Sequence, residues 1–590
     1  MPRLPPLPNL DFATGAPYSR DRDDVYFSGE GLSEKRQVFL AGCGLPETWS
    51  GRDRFAIGEL GFGASLNLLA AWDLWRQHRP SPTARLDYLS FEGFLMKPED
   101  AARIHAMWPE LADLSRQLLA RWPVRAKGFQ RIPLPDGVTL TLAVDEISSA
   151  LPEARARIDA WFLDGFAPSK NPEMWSPEIM SHVARLSAPG ARAATYTVAG
   201  DVRRSLEAAG FAVEKKPGHG RKKERLEARF PGEASQAPAP RRIAIIGAGI
   251  AGACVARSFL DRGCDVTVYD KGAGPGAAAS GNPLALVMPR LDAADGPQAR
   301  SLIEAYLYAR RFYATLGPDA AVPLDAIHRP RGPKEQQRFT KLLADPPLDE
   351  SLLQPKADGL RHLGAFAVRP SIALPRLLEG ATLRFNTNIP SLDDVDADLV
   401  IVCAGMGIAN FEGIDAPPLA GRLGQLESAA SSGSPNAIAD GGYALEAFGQ
   451  LVFGATFEPA DGEPKITGAA RAENLATLAR LRPDLASNLD PGSLTSRAAI
   501  RATTPDRFPF VGPLSSKAEA QKEKAPVGQP APSRPFRLLG GLGARGFLWS
   551  PLLAELATSE AFDEPSPAEA SVAESLDPGR YLRRALRRPG

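Results

Sequence analysis

The chain has 590 residues, 44% of them hydrophobic, and its 69 Lys plus Arg balance 69 Asp plus Glu. That length allows several domains with large cores, and zero net charge excludes nucleic-acid attraction by the overall field, leaving that role to local clusters. Four dispersed cysteines with no CxxC pair and six scattered histidines argue against a disulfide framework or a metal site and fit a reducing cytoplasm.

In chain order, "MPRLPPLPNL" places prolines where an export signal needs an apolar helix. "RFAIGEL" reads as a strand, followed by "GFGAS" and a helical "LNLLAAWDLW". "LDYLSFEG", "VTLTLAVDE" and "IDAWFLDGF" are strands ending near Glu92, Asp145 and Asp164. "ARAATYTV" is a strand, "DVRRSLEAAG" a helix, and "FAVEKK" with "RLEARF" a closing hairpin. Such alternation predicts a mostly parallel α/β sheet, helices on both faces, with an antiparallel edge. "PGEASQAPAP", residues 231–240, reads as an interdomain linker. Behind it "RRIAIIGAGIAGACVARSFLDRGCDVTVYD" opens a second α/β domain. The apolar window at 243–256 is broken by three glycines and too short to span a bilayer, so no membrane partner is expected. The reading is a first domain over 1–230, the linker 231–240, a second domain over 241–560 with a flexible insertion at 515–535, and a basic tail at 561–590.

In doubly wound sheets, ligands bind beyond the carboxyl ends of the strands. Glu59, Glu92, Asp145 and Asp164 stand at those ends, and Gly61 and Gly63 follow the first. With no Lys-Ser/Thr pair this is not a phosphate-cradling loop. Carboxylates that accept ribose hydroxyls and an amino group suit a cationic, nucleoside-like ligand; the alternative is that each acid caps a helix or sits in a turn.

The loop at 59–65 and Glu92 resemble the glycine loop and ribose-holding acid of class I S-adenosylmethionine-dependent methyltransferases, a Rossmann-like fold. "WFLDGFAPSKNPEMW", "DDVYFSGEGLSEKRQVFLAG" and "GHGRKKERL" resemble the methyltransferase half of the bifunctional family that makes 5-methylaminomethyl-2-thiouridine in tRNA, over about residues 10 to 230. The resemblance implies S-adenosylmethionine held by Glu59, Gly61, Gly63, Glu92 and Asp145. Methyl transfer to an amine needs a free lone pair and placement. Asp164 is the candidate catalytic residue, taking the amine's proton or orienting it; the equal alternative is that it only binds the cofactor. Lys170 and Asn171, in the "PSKNP" loop, stand on the substrate side. Ser65 replaces the family's usual glycine, Cys43 its asparagine, and "KKERL" its "KREML".

In the second domain Gly247, Gly249 and Gly252 form GxGxxG after a strand and before a helix, and Asp270 ends the next strand. The spacing is that of a dinucleotide site, with tight turn, close backbone approach and close helix packing. It does not choose between FAD and NAD. "LVIVCAGMG", "AAASGNP", "IRATTPDRFPFVGP" and "FRLLGGLGARGFLWSPLLAELA" resemble segments of D-amino-acid-oxidase-like flavoproteins, over about residues 241 to 560. That resemblance implies an FAD-binding Rossmann domain with an α+β substrate subdomain. It assigns FAD to Gly247, Gly249, Gly252, Asp270, Ser280, Asn282, Gly541, Gly543 and Arg545, and places Arg501 and Asp506 on the substrate side. "GAFAVRPS" stands where the family often has an aromatic-rich "GW" before its proline-led segment, and "NPLALVMP" lacks the glycine expected after Pro283.

The order methyltransferase, linker, oxidase is that of the bifunctional tRNA family. It implies oxidative removal of the carboxymethyl group from 5-carboxymethylaminomethyl-2-thiouridine at the wobble position, then methylation of the amine left behind. The expected partner is tRNA, with no metal, and the expected enzyme is a cytoplasmic monomer. "KKPGHGRKKERLEAR" and the C-terminal "DPGRYLRRALRRPG" offer cations to phosphates, or are ordinary solvated faces. The competing reading is a small-molecule amine or amino-acid flavin oxidase fused to an unrelated methyltransferase, with no RNA.

Overall fold

The computed structural model describes residues 3–13, 16–27, 31–219, 223–233, 239–411, 414, 416–460, 462–514 and 535–586. The expected insertion, except Pro535, lies outside the described residues, as do 234–238 of the expected linker and Arg221, Lys222, Arg587 and Arg588 of the basic clusters. The chain forms two compact units. No helix among the described residues is long and apolar enough to cross a membrane.

The first unit comprises Met1–Pro238 and Phe562–Ala570. Its sheet contains β1 (Arg54–Leu60), β2 (Arg85–Glu92), β3 (Gly128–Pro133), β4 (Val138–Val144), β5 (Ile158–Leu163), β6 (Ser187–Thr195), β7 (Ala212–Pro217) and β8 (Glu224–Arg229), in spatial order β7-β8-β6-β5-β1-β2-β4-β3. The inner pairs are parallel, and both edges are antiparallel: β3 on β4, and the hairpin β7–β8 on β6. Every residue of β4 is buried, as a strand covered on both faces requires. Along β5, Phe162 joins one core cluster with Trp72 and Trp75, while Trp161 and Leu163 join the other with Met180 and Val183. This is the two-residue side-chain period of a strand. Helix α1 (Leu66–His78) covers the first face. Helix α2 (Pro177–Leu186) covers the second, with Pro177 opening it and Ser176 accepting the Ile179 N–H at its N-terminus.

Residues 562–570 complete this unit at β3. Arg131, fully buried on β3, donates to the Pro565 carbonyl at 2.7 Å and to Glu564 Oε2 at 2.9 Å. The amides of Ser566 and Ala570 donate to the carbonyls of Arg155 and Glu153, each at 2.8 Å. Thus the stretch expected as a basic tail is divided: 562–570 belong to the first unit and 571–590 to the second.

The second unit comprises Ala239–Ala561 and Ser571–Gly590. Its Rossmann-type sheet contains β9 (Arg242–Ile246), β10 (Asp265–Tyr269), β11 (Thr382–Arg384), β12 (Leu399–Val402), β13 (Phe510–Gly512) and β14 (Phe536–Gly540), ordered β11-β10-β9-β12-β14-β13. All neighbours are parallel except β13 and β14. Helix α3 (Ile250–Leu260) follows β9, and helix α4 (Gly546–Phe562) follows β14. A separate ten-stranded mixed sheet, running from Ala285–Val287 to Thr495–Thr503, builds the α+β subdomain.

Candidate active sites

In the first unit, the carboxyl ends of β1, β2, β4 and β5 open on a pocket of about 1070 Å³. Gly61, Gly63, Glu92, Asp145, Asp164 and Asn171 all line it. Gly61 takes φ +89°, and a Cβ there would lie 2.7 Å from the Asp164 carbonyl oxygen, so only glycine fits the turn. Glu92 accepts the amides of Gly63 at 2.7 Å and Phe94 at 2.8 Å, which holds the glycine loop against the end of β2. Asp145 is buried, with Lys127 Nζ at 3.3 Å.

Glu59 lies behind the rim. It is 1% exposed and accepts Asn67 Nδ2 at 2.8 Å and the Ser90 hydroxyl at 2.6 Å. Burial pushes its carboxyl up to about 8, against those two hydrogen bonds, and the Asp164 charge pushes the same way. Asn67 Nδ2 also donates to Asp164 Oδ2 at 2.8 Å, so α1 joins the two acids. The second donor to that oxygen is Lys35 Nζ, from the helical segment Gly31–Glu34 and Lys35–Leu40. The Tyr196 hydroxyl anchors the following loop by donating to the Gly165 carbonyl at 2.6 Å. Lys170 does not line the pocket; it pairs with Asp23 at the surface.

The departures from the family pattern have local explanations. Ser65 takes the left-handed φ of +60° that a glycine would adopt freely. Its hydroxyl donates to the Ala64 carbonyl at 2.6 Å and lies 3.2 Å from His105 Nε2, so local hydrogen bonds hold the conformation. Cys43 is buried and donates to the Trp161 carbonyl at 3.6 Å, and burial pushes its thiol up.

Strand-end carboxylates gathered on one pocket suit a cationic, hydroxyl-bearing ligand, so these residues fit S-adenosylmethionine. Sequence reasoning missed Lys35 and Asn67. Lys35 stood inside a motif already singled out, but its partner is 129 positions away.

In the second unit, Gly247 turns the chain after β9 with φ +114°. A Cβ on Gly252 would lie 1.8 Å from the Gly247 carbonyl oxygen, so α3 and the turn touch only because that residue is glycine. Asp270 accepts the Ala248 amide at 2.6 Å and the Gly272 amide at 2.7 Å. Ser280 Oγ accepts the Ile250 amide at 2.9 Å at the start of α3. The Gly249 N–H between them has no partner among the described residues. An orphan donor at a helix N-terminus, beside a glycine turn and an acid, fits the diphosphate and ribose of FAD. Asn282 follows Gly281, whose carbonyl accepts Arg497 Nε at 2.7 Å.

Gly541 and Gly543, with φ +69° and +56°, make the turn ahead of α4, and the Gly543 amide donates to the Ala502 carbonyl at 2.9 Å. Arg501 donates to the Thr456 carbonyl at 3.1 Å. Burial pulls the Arg545 guanidinium down to about 10, and the charges of Arg290, Arg338 and Arg507 add to this. Asp506 is held by Arg580, by the Tyr581 hydroxyl at 2.7 Å and by Arg584 at 2.7 Å. Much of the expected cationic surface is matched within the chain. Arg580 and Arg584 pair with Asp506, Arg583 with Asp577, Lys215 with Glu224, and Lys216 with Glu214.

A family model described as S-adenosyl-L-methionine-dependent methyltransferase matches residues 109–231, and one described as FAD dependent oxidoreductase matches 242–560. The chain is 40% identical to the tRNA 5-methylaminomethyl-2-thiouridine biosynthesis bifunctional protein MnmC of Caulobacter sp. (strain K31), over 97% of each chain. It is 39% identical to the protein of the same name from Maricaulis maris (strain MCS10), over 97% of this chain and 96% of that one. Among solved structures it resembles iminodiacetate oxidase from Chelativorans sp. BNC1, with a TM-score of 0.44 and 22% identity over 57% of this chain and 99% of that one.

Proposed function

The chain belongs to the bifunctional tRNA 5-methylaminomethyl-2-thiouridine biosynthesis family, an S-adenosylmethionine-dependent methyltransferase joined to an FAD-dependent oxidoreductase, and from that premise we propose how its own residues divide the work. The second unit strips the carboxymethyl group from 5-carboxymethylaminomethyl-2-thiouridine at the tRNA wobble position, leaving a 5-aminomethyl group. The first unit then methylates that amine. When bound, FAD supplies the two-electron oxidation of the carbon beside the nitrogen, and S-adenosylmethionine supplies an electrophilic methyl group. The observation that carries the reading is one chain with two glycine-turn sites, each in its own unit, matched over 97% of its length by relatives named for this biosynthesis.

Gly247, Gly249, Gly252 and Ser280 would hold the FAD diphosphate at the head of α3, with Asp270 at the ribose and Asn282, Gly541, Gly543 and Arg545 toward the flavin ring. Arg501 and Arg545 present cations to the substrate carboxylate. Asp506 acts at one remove, by holding Arg580 and Arg584. In the first unit Glu92 and Asp145 would accept cofactor hydroxyl and amino groups, while Gly61 and Gly63 let the backbone come close. Glu59 supports the floor through Asn67. Asp164 accepts an N–H of the substrate amine and orients its lone pair, and Asn171 shapes the loop above it, with Lys170 at its edge. The tRNA presents an extruded base to a monomeric enzyme in the cytoplasm.

The test is mass analysis of the wobble nucleoside after hypomodified tRNA meets the enzyme. Without S-adenosylmethionine the aminomethyl base accumulates; with it, the methylaminomethyl base forms. Asp164→Ala should stop at the aminomethyl base even with the methyl donor present. Unchanged tRNA, with turnover of free glycine or sarcosine instead, would reject the reading.

A further inference from the structure

Lys35 brings a buried amine to the lining of the methyltransferase pocket. Its side chain is 7% exposed and that of Asp164 15%. Its one ion-pair partner among the described residues is Asp164, and its Nζ sits 5.2 Å from the centre of the Phe39 ring. A buried amine is costly unless paired, and the contact with Asp164 is the pairing that holds this side chain in place. Lys35 and Asn67 donate to the same oxygen, Oδ2, while Oδ1 accepts no hydrogen bond from a described residue. One oxygen is therefore committed to the protein and the other is open in a pocket that Lys35, Asn67 and Asp164 all line.

We propose that Lys35 is a positioning residue for methyl transfer: by binding Asp164 Oδ2, together with Asn67, it keeps that carboxylate turned so that Oδ1 receives the N–H of the substrate amine. This rests on the reading of the first unit as an amine methyltransferase. With Oδ2 committed to Lys35 and Asn67, Asp164 orients the nitrogen through Oδ1, and the proton that the amine loses on methylation leaves to water.

The other groups acting on the pair do not replace Lys35. Glu59 from β1 and the Tyr88 and Tyr196 hydroxyls feel the Asp164 charge, while Glu34 and Asp24 act on Tyr196. Each is an acid or a phenol, and none brings a positive charge. Removing Lys35 takes away the one cation paired with Asp164 among the described residues, and a carboxylate that loses its cation keeps its proton to higher pH.

The experiment titrates the full-length protein without ligands. The Asp164 carboxylate infrared band is assigned by difference against Asp164→Asn, then followed with pH in wild type, Lys35→Met, Lys35→Gln and Lys35→Arg. The proposal expects the band to titrate about one pH unit or more higher in the Met and Gln variants and to follow wild type in the Arg variant. The acid limb of kcat for methylation of aminomethyl-tRNA should move in parallel, with the Arg variant restoring it. Met and Gln bands that titrate with wild type would overturn the proposal. A wild-type enzyme that never methylates the tRNA would instead overturn the reading of the unit, and the infrared titration would still decide the role of Lys35.

Discussion

Arg131 and Glu564 are 433 positions apart in the chain and 2.9 Å apart in space, with side chains 0% and 1% exposed. Asp87 at 3.6 Å and the half-buried Arg85 at 3.8 Å extend the pair into a cluster of four charges. Removing one member leaves a buried charge uncompensated, a loss on the order of 3–5 kcal/mol. Glu564→Ala should therefore destabilise the first unit by about that amount. Tryptophan fluorescence on heating reads it through Trp49, Trp72, Trp75 and Trp161, all buried there. Arg131→Met added to Glu564→Ala should cost much less than the sum of the two single losses. A full-length Glu564→Ala protein that melts like wild type would show that 562–570 do not hold the unit together.

Glu59 gives the first unit a pH dependence of unusual sign. Burial pushes its folded-state carboxyl up to about 8, above the ordinary 4.5, so the folded state binds the extra proton between those values. Stability then falls as pH rises through this window and levels off above it. Glu59→Gln keeps the neutral shape and the contacts to Ser90 and Asn67 without the charge. It should melt higher than wild type at pH 8, with the gap closing towards pH 5. A constant gap across that range would mean that Glu59 is ionised throughout.

Much of both folds could be read from the chain because several inner strands, β1, β2, β4, β5 and β9 among them, are apolar runs followed closely by an acid or a glycine. Glu92, Asp145 and Asp164 were visible for that reason. Strand β3 was not, since Gln130 and Arg131 interrupt its apolar pattern and are buried only because other segments satisfy them: Gln130 bonds the backbone of Val124, and Arg131 meets Glu564. Lys35 and Asp506 share this opacity. A charged residue's role depends on its partner, and those partners lie 129 and 74 positions away. Periodicity reports only what a residue does to its near neighbours.

The glycines of the FAD turn are not equivalent. A Cβ at Gly252 would lie 1.8 Å from a backbone oxygen, which cannot yield without moving α3 away from β9. At Gly249 the nearest atom is Ser280 Oγ at 3.0 Å, the end of a side chain that can rotate. Gly252→Ala should purify colourless, whereas Gly249→Ala should retain flavin at reduced occupancy. Flavin absorbance per chain decides it. Equal occupancy in the two variants would mean that the backbone contact at Gly252 does not set the fit.

Asp506 shows the opposite linkage to Glu59. Burial works against its ionisation, yet hydrogen bonds from Arg580 and Tyr581, the Arg580 charge and Arg584 hold the carboxyl well below the usual range. Its contribution is present at neutral pH and lost as pH falls through the acid range. Asp506→Asn should lower the melting temperature of the second unit at pH 7, and the difference from wild type should shrink below about pH 4. Arg580→Ala should produce a similar loss, because Arg580 is 4% exposed and donates to both Asp506 oxygens. Since the pair is one interaction, the double variant should be little worse than either single one. A direct substrate contact predicts something else: Asp506→Asn raises KM for the tRNA without loss of stability, and Arg580→Ala leaves KM alone. Melting curves and KM values for the three variants separate a carboxylate that binds substrate from one that fastens residues 580–584 to the strand-end turn at 504–508.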